Sequence, residues 1–286
     1  MPGSALRHVV RKPLVFAGLL VFLLFVLMAL APDLFAPFDP SKQSLLARLQ
    51  PPGTEARSGG VYWLGTDHLG RDILSGLIHG ARGALLVGGI ATFVAATVGV
   101  VLGLLAGYFG GWFSDLILRV ADVQLAFPFF LLAITVAAIL GPSFAVIIGV
   151  LALGNWVVYA RVVRSEALEI RERVFVEAAR AVGAGNGRII AFHVFPNCIP
   201  SIIVLSTFNL AYAIMLEAGL SFVGLGLNMG SPSWGLMLAN GREYVATAWW
   251  LATFPGLCIF LIVLSVNILG DYARDVLDPR SIKNEL

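Results

Sequence analysis

Charge is scarce in this sequence: only 13% of its 286 residues are charged, against 58% hydrophobic ones. With about 25% charged residues usual in a soluble domain and a mean hydropathy of +0.88, the composition excludes an ordinary soluble fold and reads as a polytopic membrane protein. Cysteine is nearly absent. Cys198 and Cys258 lie sixty residues apart in apolar segments, with His193 the one histidine near either of them in sequence, which supports neither a disulfide framework nor a zinc site. The three lysines are followed by Pro13, Gln43 and Asn284, so no phosphate-cradling Gly-Lys-Ser/Thr loop exists and the chain is not expected to hydrolyse ATP itself. His8, His68, His79 and His193 form no ligand spacing, and no acid, base and nucleophile cluster in sequence, which argues against a membrane-embedded enzyme. A net charge of +2 is too small to argue for nucleic acid.

What is present is a series of long uncharged runs. Leu14 to Ala31 gives eighteen residues without a charge after Arg7, Arg11 and Lys12, a first span with its N-terminus inside. Ala29-Leu30-Ala31 also mimics a signal-peptide cleavage site, but the run is long and Pro32 follows it, so the span is expected to be retained. A polar loop from Asp33 to Arg82 follows. Its end, Leu69 to Leu86, is amphipathic and predicts an interfacial helix feeding the second span. That span, Ala84 to Gly107, carries Gly99, Gly103 and Gly107 at a spacing of four, a flat strip for close packing of a neighbouring helix.

Leu116 to Leu140 reads as span three, with Arg119, Asp122 and Gln124 near its start. Gly141-Pro142 then turns the chain into span four, Phe144 to Ala160, because the 36 uncharged residues from Leu125 to Ala160 exceed one crossing. Ile199 to Phe222 and Ala248 to Gly270 complete six spans. Between them Gly224 to Thr247 is expected to fold back against the mouth of the bundle. Asn209 and Glu217 interrupt span five; they either line a passage or make a structural hydrogen bond between helices. With both termini inside, 13 basic residues fall inside and 6 outside, the bias this orientation requires.

The exception to all this apolarity is Arg161 to Pro200, where six arginines and four glutamates gather. Val163, Ala167, Ile170, Val174, Ala178 and Ala181 recur at helical spacing and place one small-residue face on the segment, helical at least in pieces. Gly183 sits where a left-handed cap is needed, and Pro196 and Pro200 restart the chain toward span five. Such a face either packs on the protein's own span ends or fills a groove in another protein. Gly183-Ala-Gly185-Asn-Gly187 is followed by Arg188 where a dinucleotide loop needs glycine, so it reads as a helix stop and turn.

Glu177-Ala178-Ala179, then Gly183, then Phe195-Pro196 resemble the EAA loop of permease subunits in ATP-binding-cassette importers. Leu64 to Asp72, Gly80-Ala-Arg82, Gly107-Tyr-Phe-Gly-Gly-Trp112, Leu125-Ala-Phe-Pro128, Leu220 to Gly226 and Pro232-Ser-Trp-Gly235 look like the second permease subunit of dipeptide and oligopeptide importers. The similarity covers roughly residues 60 to 280. His193 and Phe195 stand where importers more broadly place isoleucine and leucine, and a histidine followed by a Pro-Asn pair, here His193 with Pro196-Asn197, is a feature of the peptide-importer branch.

The resemblance implies an all-α fold of six transmembrane helices, the type I importer permease fold, with residues 1–83 forming the N-terminus, first span and external loop. Residues 84–272 would form the permease core, including a cytoplasmic coupling loop over 161–197, and residues 273–286 a cytoplasmic tail. It implies that Val174, Phe175, Glu177, Ala178, Ala179, Arg180, Gly183 and Ala184 dock on an ATP-hydrolysing subunit, supported by His193, Pro196 and Asn197. The implied partners are a second, distinct permease, two ATP-binding subunits that hold ATP and magnesium, and an external substrate-binding protein. No cofactor is expected on this chain. The cargo is expected to be peptide in a bacterial or archaeal cytoplasmic membrane, with nickel or glutathione as alternatives. A secondary transporter driven by an ion gradient is the rival of another class; it calls for midplane charges, and Glu217 alone qualifies.

Overall fold

The computed structural model describes residues 12–57, 59–141, 143–226 and 232–277. Arg7 and Arg11, the turn residue Pro142, and the tail charges Arg280 and Lys283 lie outside them. Each apolar run becomes a helix, and the breaks fall at proline, at glycine and at one charged turn. Helix α1, Pro13–Leu30, starts on proline and stops where Ala31 leaves helical geometry before Pro32. The short α2, Pro32–Phe35, leads into a loop whose strands β1, Thr54–Glu55, and β2, Val61–Tyr62, pair antiparallel with Thr54 opposite Tyr62.

Asp72 then caps α3, Ile73–Phe109: its Oδ2 accepts from the Ser75 amide at 2.8 Å and the Ser75 hydroxyl at 2.6 Å. At 37 residues, α3 is about 55 Å long, well beyond a hydrocarbon core of roughly 30 Å. The separate interfacial helix expected over Leu69 to Leu86 is corrected here. No proline or capping turn interrupts the segment, and elongating a formed helix is easier than nucleating a second, so it runs straight into span two.

Span three is also corrected. It consists of α4, Gly111–Leu125, and α5, Phe129–Leu140, bent by 86°. Pro128 cannot donate a helical hydrogen bond and disfavours helix at Phe127. Gln124 braces the corner, donating to the Leu153 carbonyl and accepting from Trp156 Nε1 at 2.6 Å. Then follow α6, Phe144–Ile170, α7, Val174–Ala181, and α8, Asn186–Ile189. A π-helical segment, Ile190–Val194, joins α8 to α9, Phe195–Phe222. Helices α10, Trp234–Gly241, and α11, Trp250–Leu277, complete the described chain. Five of these helices are long and apolar enough to cross a membrane, or six with the bent pair taken as one span.

The chain forms two compact units, neither of them continuous in sequence. One comprises Met1–Gly89, Ala133–Ile148 and Leu210–Leu269; Phe25, Leu77, Ile214, Trp234, Trp250 and Ile262 share its core. Within it the segment after α9 turns back as α10. Trp234 is 1% exposed, and its Nε1 donates to the Leu77 carbonyl at 2.8 Å. The other unit comprises Ile90–Leu132, Gly149–Asn209 and Gly270–Leu286, with Leu104, Tyr108, Val163, Val176, Ile189 and Cys198 in its core.

Candidate functional site

The charge-rich stretch lies wholly in the second unit. Helix α6 continues past the uncharged part of span four to Ile170, burying Val163 and Ala167 completely. The helix ends in a turn over Arg171 to Arg173, where the Glu172 amide donates to Glu169 and the Arg173 amide to Ile170. Arg173 is extended at φ −76° and ψ 144°, which resets the helical phase. The continuous stripe expected from Val163 to Ala181 is therefore corrected. After the turn Val176 and Ala179 face inward, 0% and 8% exposed, while Val174 is 80% exposed, and Ala178 and Ala181 are exposed with it. Ala179, expected on the docking face, packs instead in the core with Tyr108, Ile189 and Val194.

The outward face of α7 is what remains of the expected contact. Val174, Phe175 at 44%, and Val182 at 85% exposure stand beside exposed Glu177, Ala178 and Arg180. Val174, Phe175 and Val182 are thus apolar side chains that the chain's own core leaves uncovered. Its end is fixed by backbone geometry. Gly183 takes φ +83°, its amide donates to Arg180 at 2.9 Å and the Ala184 amide to Ala179 at 3.0 Å, the paired bonds of a Schellman cap. A β-carbon at Gly183 would meet nothing within 4 Å, so the glycine is needed for conformation and not for space.

Beyond the cap the chain is helical again from Asn186 and passes through the π segment before Pro196. Proline lacks an amide hydrogen, so helical bonds at Pro196 and Pro200 are missing, and the wider π turn accommodates the loss. The Asn197 side-chain amide donates to the His193 carbonyl at 2.7 Å, a further tie across this turn. His193 Nδ1 is buried without a hydrogen-bond partner. A cavity of about 270 Å³ opens beside α7, lined by Glu166, Glu169, Ile170, Arg173, Phe175 and Asn197.

Three arginines of the α6 end fasten this region to the end of α3 and to α4. Arg161 pairs with Asp122, and Arg164 Nε donates to the Ser114 hydroxyl. Arg171 donates to the Gly107 and Tyr108 carbonyls, each at 3.2 Å, capping the C-terminal end of α3, where positive charge is favoured. Along the same contact the three glycines of α3 touch α6 backbone. A β-carbon at Gly99, Gly103 or Gly107 would stand 2.3, 2.7 or 2.6 Å from the carbonyls of Trp156, Ala160 and Arg164.

Tyr108 was quoted in sequence only as part of a motif, and its role was missed. It is 6% exposed, its hydroxyl donates to Asn186 Oδ1 at 2.9 Å, and the Arg180 guanidinium lies 5.5 Å from its ring centroid. The available signal was a lone tyrosine ending an apolar run, with a polar tip that needs a partner once buried. Asn209 and Glu217 are 7% and 2% exposed. Asn209 donates to the Leu205 carbonyl at 3.0 Å and Glu217 accepts from Ser221 at 2.7 Å; Asn209 also hydrogen-bonds Tyr159 of α6, so it joins two helices while Glu217 bonds within its own.

Residues 99–283 match the family described as binding-protein-dependent transport system inner membrane component. Residues 3–52 match the N-terminal TM domain of oligopeptide transport permease C. The di/tripeptide transport system permease protein DppC of Pseudomonas aeruginosa is 42% identical, covering 93% of this chain and 88% of its own. The dipeptide transport system permease protein DppC of Escherichia coli is 40% identical over 92% of this chain and 88% of its own. In the same organism, the probable D,D-dipeptide transport system permease protein DdpC is 36% identical, with 94% and 89% covered. Among solved structures, an inward-facing conformation of the MetNI methionine ABC transporter gives a TM-score of 0.57 at 20% identity. It covers 72% of this chain and 98% of its own, a likeness of fold.

Proposed function

Because the chain belongs to the family of binding-protein-dependent transport system inner membrane components, we propose that it is the permease subunit through which an ATP-driven importer moves di- or oligopeptides across the cytoplasmic membrane of a bacterium or archaeon. The observation that carries the reading is α7. Its inner face is locked into the chain's own core, while Val174, Phe175 and Val182 lie exposed on the outer side. A protein that uses another chain's chemistry needs such a surface. Each of these side chains contributes about 1.5–3 kcal/mol when fully buried by a partner. Peptide cargo is supported by relatives of about 40% identity whose names specify dipeptides or di/tripeptides.

On this reading both termini and α7 are cytoplasmic. Two ATP-binding subunits hold ATP and magnesium, and one of them grips α7 on the Val174 side. A second, distinct permease completes the passage, and an extracytoplasmic binding protein delivers the peptide. This chain is non-catalytic. Closure of the ATP-binding subunits moves α7 as a rigid body, and the membrane helices rock between inward-open and outward-open states.

The test is reconstitution of the complete complex into proteoliposomes with a defined equimolar dipeptide mixture outside and ATP inside. Dipeptide accumulation read by mass spectrometry should require ATP and the binding protein, and Glu177→Lys should abolish it while the chain stays inserted. Uptake driven by an ion gradient without ATP, or accumulation of nickel in place of dipeptides, would overturn the assignment.

A further inference from the structure

We propose that Tyr108 is the positioning residue through which movement of α7 reaches the long helix α3, a role that rests on the function proposed above. The starting point is how weakly α7 is tied to its own chain. On its N-terminal side the connection to α6 runs through the turn Arg171 to Arg173, with Arg173 extended. On its C-terminal side the connection to α8 runs through Gly183 at φ +83° and Gly185, extended at φ −70° and ψ 155°. Neither joint has the continuous hydrogen-bond ladder that makes a helix stiff. Covalent connections alone would let α7 pivot under a pulling partner and leave the membrane helices where they were.

The non-covalent connections bypass both joints and converge on the last turn of α3, two of them on the Tyr108 side chain and one on the backbone beside it. Arg180 in the last turn of α7 stands over the Tyr108 ring at 5.5 Å, close enough for a cation–π attraction. The Tyr108 hydroxyl, buried with the rest of the residue, donates to Asn186 Oδ1 at 2.9 Å on the far side of the glycine joint. Arg171, before the other joint, donates to the carbonyls of Gly107 and of Tyr108 itself. The last turn of α3 is thus held ahead of α7, on α7 and behind it. Val176 and Ala179 from the inner face of α7 share a core cluster with the same tyrosine. Displacement of α7 in any direction strains at least one of these contacts, and α3 passes the load along 37 residues of continuous helix.

A tyrosine suits the post better than phenylalanine or leucine. Its ring is large and rigid enough to accept an arginine on one face while filling the core, and its hydroxyl reaches a polar loop from a buried position. The substitutions separate these parts. Tyr108→Phe keeps the ring and removes the bond to Asn186, Asn186→Ala removes the same bond from the other side, and Tyr108→Ala removes both the ring contacts and the hydroxyl bond, leaving only the Arg171 bonds to backbone carbonyls.

The experiment uses the intact complex with its second permease, ATP-binding subunits and binding protein, in proteoliposomes with an equimolar dipeptide mixture. Dipeptide accumulation and ATP hydrolysis are measured separately, and subunit stoichiometry is checked by gel. Tyr108→Ala is expected to keep ATP hydrolysis while dipeptides moved per ATP fall at least about fivefold, the scale of a coupling between distant sites. Tyr108→Phe and Asn186→Ala should each lower that ratio less, and their combination no further than either alone. An unchanged ratio in assembled Tyr108→Ala complex, uptake and hydrolysis falling in step included, would overturn the proposal. Should Tyr108→Ala fail to assemble, an unchanged ratio in both Tyr108→Phe and Asn186→Ala overturns it equally. No ATP-driven uptake in the wild-type complex would refute instead the underlying function.

Discussion

Helices α7 and α10 are each eight residues long, yet they solve opposite problems. In α10 the leading aromatic is buried by the chain itself. Trp234 is 1% exposed, meets Phe25 edge-on at 5.3 Å and donates to the Leu77 carbonyl. A β-carbon at Gly80 would come within 2.6 Å of its ring. Ser233 accepts from the Leu236 amide at 3.2 Å and so caps the helix start. In α7 the leading residues Val174 and Phe175 are exposed, and no side chain caps the start. A short helix that closes on its own core is an element of the fold; one that leaves apolar side chains open is, on the function proposed above, completed by another chain.

The largest consequence concerns Trp234. Trp234→Ala removes a fully buried indole and leaves the pocket beside Gly80 empty, which costs about 3–5 kcal/mol. The thermal midpoint of the detergent-solubilised protein should fall sharply. Val174→Asp at the same stage of α7 should leave that midpoint where it is, because the side chain is 80% exposed. It should instead weaken the ATP-binding subunits by about 2 kcal/mol, roughly thirtyfold, read as their loss on co-purification. If Val174→Asp unfolds the chain, or Trp234→Ala leaves it intact while partners are lost, the two helices are not opposites.

The sequence foretold much of this contrast and missed particular parts for physical reasons. Gly99, Gly103 and Gly107 were legible because a spacing of four maps onto one helix face whatever lies opposite. Gly183 was legible because glycine after a helical run answers a local backbone need. The phase of α7 was not legible. The break at Arg171 to Arg173 contains neither glycine nor proline, and it is anchored by Arg171 on carbonyls more than sixty residues away in sequence. The corner at Pro128 was similarly hidden. Proline announces a weakened helix, but the 86° bend is braced by Gln124 against Leu153 and Trp156, which no local pattern records.

A subtler division appears at the glycines that end the two helices. Gly183 after α7 has φ +83° with open space around it, whereas Gly241 closing α10 has φ −72° and would place a β-carbon 2.7 Å from the Leu251 carbonyl carbon. Gly241→Ala should therefore cost about 1–3 kcal/mol by overpacking. Gly183→Val should cost about 1–2 kcal/mol through the left-handed backbone, and Gly183→Asn less, since asparagine tolerates that region. The two sites are told apart by Gly241→Asn, which clashes as alanine does. Equal losses from asparagine at both positions would erase the distinction between a conformational and a steric glycine.

The smallest effect tests the other ends of the helices. Ser233→Ala removes the side-chain cap on the first turn of α10 and should cost about 1 kcal/mol. Arg173 occupies the equivalent position before α7 without a side-chain bond to the helix start, so Arg173→Ser introduces a cap that α7 lacks. A serine there should leave the fold unharmed or slightly steadier. If partner binding depends on the first amides of α7 staying available, the same change should lower co-purification of the ATP-binding subunits without moving the thermal midpoint. A gain in both stability and co-purification would instead show that α7 is simply an undercapped helix. Its exposed start would then be no part of the docking surface, and the contrast with α10 would narrow to Val174, Phe175 and Val182.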